Sequence, residues 1–131
     1  SLNPAIDLGQ VEGGFVQGVG WLTTEELWWD EAGALQTHAP STYKIPACSD
    51  RAPDMRMQLW AEGMNRELTI RRSKAVGEPP LMLGISALQA ISDAVCGAGD
   101  YRVYPALDAP ATPERVLAAV ERVKGGRDAD R

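Results

Sequence analysis

The stretch Arg72-Ser73-Lys74-Ala75-Val76-Gly77-Glu78-Pro79-Pro80-Leu81 holds the residues most suited to chemistry. It sets one carboxylate, Glu78, on a short stiff loop directly ahead of an apolar helical run. Gly77 reaches backbone angles closed to other residues, so the chain can approach a ligand closely. Pro79 fixes its own backbone and biases Glu78 towards an extended conformation, and Pro80 does the same to Pro79. A carboxylate held in this way suits a positioned general base. The plainer reading is a helix start whose glutamate complements the helix dipole. The local pattern leaves both open.

Other reactive side chains are sparse. Gln10 stands near the first turn of a glycine-rich helical stretch, where its amide either serves a polar ligand or faces water. Gln17, two turns on, is expected to face solvent. His38 is the single histidine and builds no multi-histidine metal site. Cys48 and Cys96 match no CxxC or zinc spacing and are expected to stay reduced. Ser41 and Lys44 lack a third catalytic partner and an oxyanion hole. No metal-ligand set is read from this chain.

These residues need elements to position them. From about Asp7 to Glu26, Leu8, Val11, Phe15, Val19 and Leu22 recur at helical spacing, with Asp7 as candidate cap. Gly9, Gly13, Gly14, Gly18 and Gly20 lie inside that stretch, and each interior glycine costs about 1 kcal/mol relative to alanine. A helix so loaded has to recover the loss through close packing or close approach to a ligand. Glu26–Trp29 reads as a strand, Asp30–Gly33 as a turn and Ala34–His38 as the returning arm of a hairpin. Pro40–Pro46 is bracketed by prolines and reads as an ordered, non-helical connection. Met55–Ala61 alternates as a half-buried strand, with Met55, Met57 and Leu59 on one face. Leu81–Val95 forms a second helix whose buried face is Leu81, Ile85, Leu88, Ile91 and Val95. Tyr101–Tyr104 is a candidate short strand. Thr112-Pro113-Glu114 opens a last helix with a cap and a first-turn proline. The polar tail from Gly125 is expected to be disordered. These elements together predict an α+β fold, with about three helices packed on a small, mostly antiparallel sheet.

At 131 residues, 44% hydrophobic and 24% charged, the chain is long and apolar enough for one domain with a real core. The net charge of -5 argues against a nucleic-acid surface as its main business. No apolar stretch reads as long enough to span a bilayer and no signal peptide is visible, so the expected location is cytoplasmic. The chain opens at Ser1-Leu2-Asn3-Pro4 without an initiator Met. It is therefore expected to be a fragment, a processed subunit or a piece cut from something larger.

Three stretches taken together resemble one known family. They are the run from Ser1 to Gly18 (Ser1-Leu2-Asn3-Pro4-Ala5-Ile6-Asp7-Leu8-Gly9-Gln10 and onward), Pro40-Ser41-Thr42-Tyr43-Lys44-Ile45-Pro46, and Ser73-Lys74-Ala75-Val76-Gly77-Glu78-Pro79-Pro80-Leu81. In order and approximate spacing they resemble the molybdopterin-binding large subunit of the xanthine dehydrogenases, which are molybdenum hydroxylases. The resemblance covers roughly residues 1 to 96. It implies that residues 1-124 are the C-terminal part of a molybdopterin-binding domain and that 125-131 are a tail.

It also implies that Glu78 is the catalytic base, taking a proton from a hydroxide on molybdenum so that the oxygen attacks an electron-poor purine carbon. Gln10 matches a glutamine that hydrogen-bonds the pterin, and Lys74, Val76 and Gly77 lie in the loop lining the cofactor. The implied cofactor is molybdenum-molybdopterin. FAD and 2Fe-2S clusters, which pass electrons to NAD, would lie on other domains or subunits and not on this chain. The implied partners are the rest of the large subunit, the FAD/iron–sulfur subunit and a purine substrate. The isolated chain is expected to be inactive, since other cofactor loops and the groups that orient the purine would lie upstream of Ser1. An aldehyde oxidase-type enzyme is the nearest alternative, and a non-catalytic interaction fragment is a second.

Overall fold

The computed structural model describes residues 1–128. Its α-helices are α1 (Pro4–Thr23), α2 (Glu78–Leu83), α3 (Ile85–Ala98) and α4 (Pro113–Asp128), with short 3-10 turns at Cys48–Asp50 and Ile70–Arg72. The expected α+β architecture does not form. Among the described residues there is no strand and no sheet, only an isolated antiparallel bridge between Trp29 and Leu35.

Each missing strand has a local reason. The hairpin turn is present, because the Asp30 carboxylate accepts the Ala32 and Ala34 amide protons at 3.0 and 2.9 Å. The ladder stops one step later, where the Thr37 hydroxyl takes the Trp28 N–H at 3.1 Å. In Met55–Trp60 burial alternates as the sequence predicts, but no second strand lies alongside among the described residues. Tyr101–Tyr104 is a turn instead. Asp100 and Tyr101 adopt φ of 54° and 59°, and the Tyr101 N–H returns to the Cys96 carbonyl at 2.9 Å.

α1 begins earlier than the Asp7 cap implied. Asn3 caps it, its side chain accepting the Ile6 N–H at 3.3 Å, and Pro4 occupies the first turn, where a missing N–H costs nothing. The glycine load of α1 is answered by packing at two points. A Cβ at Gly14 would fall 2.6 Å from the Gly77 carbonyl oxygen. One at Gly18 would overlap the Leu81 carbonyl oxygen and come 3.1 Å from the Gly84 Cα. α1 and α2 therefore cross backbone on backbone.

The apolar core lies elsewhere, between α3 and α4. Val95, Ala119 and Val123 are buried there, with Ile91, Val103 and Val116 packed around them. Thr112 and Pro113 start α4 as expected, the Thr112 hydroxyl accepting the Arg115 N–H at 3.4 Å. The helix runs to Asp128, past Gly125 where the tail was expected to begin; residues 129–131 lie outside the described ones. Arg115 ties this half to the segment just after α1, reaching Glu26 at 2.7 Å, and also donates to the Pro110 carbonyl at 2.9 Å.

Glu78–Ala98, of 21 residues and mean hydropathy 1.5, is long and apolar enough to cross a bilayer by length and composition alone. That corrects the sequence expectation that no stretch is. Here it is two helices meeting at Gly84 and packed on α1 and α4.

Candidate functional site

The α1–α2 crossing opens at one end into a cavity of about 520 Å³. One wall is a single face of α1, where Gly9, Gln10, Gly13 and Gln17 follow one another at helical spacing. The opposite wall is Val76, Gly77, Glu78 and Leu81. Two segments about sixty residues apart in the chain thus share one site.

Glu78 is the first residue of α2 rather than part of a preceding loop, and its side chain is exposed to the cavity and solvent. Pro79 and Pro80 fill the first helical turn, where no N–H is needed, and Pro80 is buried against α1. The carboxylate therefore projects from a short, pinned element. Gln10 lines the same cavity from α1, and its Oε1 lies close to Gly77, 3.8 Å from where a Cβ there would stand. Among the described residues, neither the Gln10 nor the Glu78 side chain hydrogen-bonds another protein group. Both remain available to a ligand.

The floor between them is bare main chain. A Cβ at Gly9 or Gly13 would meet nothing within 4 Å, so each glycine leaves open space above the helix. This suits a flat polar ligand lying against α1, with an amide at one side and a carboxylate at the other. Of the residues that the family resemblance nominates, Gln10, Val76, Gly77 and Glu78 come together here. Lys74 does not line this cavity and is exposed. Gln17 was expected only to face solvent; it is exposed, yet it edges the cavity. Its spacing from Gln10, on the same helical face, is the signal that would have found it.

No group of three or more His, Cys, Asp or Glu that could hold a metal ion occurs among the described residues. The only histidine, His38, sits in the hairpin with its Nδ1 3.0 Å from the Leu35 carbonyl. Cys48 and Cys96 are both free. At the far end of α1, Tyr43 of the proline-bracketed segment meets Glu25, which is 7% exposed. The hydrogen bond to that carboxylate, aided by burial, pushes the Tyr43 phenol up to about 12.

Comparisons with known proteins show the family of the chain. Residues 1–52, which include the whole of α1, match the family model of the molybdopterin cofactor-binding domain. The chain is 44% identical over 135 residues to a xanthine dehydrogenase of Oryza sativa subsp. japonica, covering 94% of the chain and 10% of that relative. It is 50% identical over 125 residues to a xanthine dehydrogenase/oxidase of Mus musculus, covering 91% and 9%. Against aldehyde oxidase 1 of Cavia porcellus it is 45% identical over 124 residues, covering 92% and 9%. The α1 wall of the cavity lies within the matched residues, and the Val76–Leu81 wall lies outside them. The chain belongs to the xanthine dehydrogenase family of molybdenum hydroxylases, and it spans 9% to 10% of the length of the curated relatives it matches.

Proposed function

We propose that this chain, as part of a larger protein, forms one wall of the active site of a molybdenum hydroxylase acting on hypoxanthine or xanthine. The observation that carries the reading is the meeting of Glu78 and Gln10 across a glycine-floored cavity. Gly9 and Gly13 line the cavity with no side chain standing over the helix, and Gln10 offers an amide without a protein partner, so these residues fit a pterin. When bound, the molybdenum-pterin group supplies the oxygen to be transferred and accepts the electron pair. Glu78 acts as the general base, its carboxylate oxygen receiving a proton as the purine carbon is attacked. Gln10 would hydrogen-bond the pterin, and Val76 and Gly77 would line its site. The pinned start of α2 limits the wandering of the carboxylate, which keeps donor and acceptor in reacting geometry.

Electrons would leave through 2Fe-2S clusters and FAD carried by other parts of the protein, to NAD. The remainder of the large subunit and the FAD/iron–sulfur part are the partners in this reading, and the cytoplasm is its location. A second reading, an aldehyde oxidase-type substrate, is favoured by the 45% identity to aldehyde oxidase 1. The test is xanthine turnover by the full-length protein with Glu78 and with Glu78→Gln. The amide keeps the shape and removes the base, so a loss of several orders of magnitude is expected. Undiminished turnover would remove Glu78 from the mechanism.

A further inference from the structure

We propose that Gly18 is a positioning residue for Glu78, setting the carboxylate through main-chain contact with α2. The inference rests on reading Glu78 as the base and adds what places it. α2 is six residues long, too short to hold itself, so its position comes from what it packs on. Its most extensive packing is against α1.

That contact has no side chain in it at its tightest point. Gly18 is buried beneath the Leu81 carbonyl, and a Cβ on Gly84 would fall 2.7 Å from the Gly18 Cα and 2.8 Å from the Val19 nitrogen. With glycine on both sides, neither partner has a rotamer that can swing away. Leu81 lies one helical turn after Glu78 and lines the same cavity. A methyl group at Gly18 would force the Leu81 carbonyl back by roughly 1 Å to reach an ordinary carbon–oxygen separation. A single turn moves as a unit, so Glu78 moves with it. Gly14 makes the milder version of the same contact: a Cβ there would fall 2.6 Å from the Gly77 carbonyl oxygen.

The experiment compares Gly18→Ala with Gly125→Ala in the full-length protein. Gly125 lies in α4, where a Cβ meets nothing within 4 Å, so its variant should keep wild-type turnover. For Gly18→Ala the expected result is a fall in kcat of about a hundredfold, the size of effect a 1 Å misplacement produces. KM for xanthine and the molybdenum and pterin content should stay at the wild-type level. The limb of the pH–rate profile that reports the base should move in Gly18→Ala and not in Gly125→Ala. Wild-type kcat in Gly18→Ala would overturn the proposal, as would a loss of kcat matched by an equal loss of bound pterin. If Gly18→Ala does not accumulate as folded protein, Gly14→Ala carries the test: a smaller fall in kcat at full pterin content supports it, and no fall overturns it. Turnover retained in Glu78→Gln would bring down the base reading itself, whereas turnover lost there but kept in Gly18→Ala would bring down only the positioning role.

Discussion

Helix α1 carries glycines on two of its faces, and the two faces differ in what lies over them. Above Gly14 and Gly18 there is main chain close enough to exclude a Cβ; above Gly9 and Gly13 there is open space. Both pairs show the same four-residue spacing, and each residue carries the same intrinsic helix penalty. Spacing alone therefore does not say whether a glycine serves packing or a ligand. The neighbouring atoms decide it, and here one helix does both.

The strongest way to break this comparison is to fill the packed face. Gly84→Val should lower stability by about 3 kcal/mol, the upper end for overpacking, because the opposing wall is main chain and cannot re-pack. A thermal melt of the full-length protein checks it, and an unchanged midpoint would show the crossing to be looser than described. The open face should respond with the opposite sign. Gly13→Ala should raise the stability of the cofactor-free protein by up to about 1 kcal/mol, through helix propensity alone. The same methyl projects into the cavity, so retention of pterin on dialysis should fall. Stability that drops instead would place Gly13 with the packed pair.

The smallest effect lies at the far end of α1, at the Glu25–Tyr43 contact. Tyr43 is raised from 10.0 to about 12, so the folded state favours the neutral phenol. The stabilisation is fully present below pH 10 and is lost as pH rises from 10 to 12. Tyr43→Phe should flatten that part of the stability–pH curve. An identical slope in both proteins would show that the contact does not hold the proline-bracketed segment.

The sequence showed some of these features much more clearly than others. Glu78 and Gln10 were both nominated by the resemblance. The local pattern around Gly77 and the two prolines left helix punctuation open, and Gly77 takes ordinary helical angles, φ -83° and ψ -36°, with Glu78 helical rather than extended. The meeting of Glu78 and Gln10 across one cavity was not legible, since it depends on how α1 and α2 cross. Lys74, which the resemblance also nominated, is four residues from Glu78 and does not line the cavity, a placement that sequence order alone did not reveal. The strands were misread for a different reason. The period-two pattern of Met55, Met57 and Leu59 is real in the burial, but a strand also needs a partner, and no periodicity within one segment reveals whether one is present. The capping signal was off by a few residues, because Asn3 and Asp7 are both good caps and only the first has Pro4 behind it.

The crossing of Gly18 and Gly84 has a consequence for precision. Side chains hop between rotamers, and any distance measured from one inherits that jitter. At this crossing both reference surfaces are peptide groups, whose bond lengths and planarity are fixed by covalent structure. The offset between α1 and the start of α2 therefore carries no contribution from side-chain rotamers at this point.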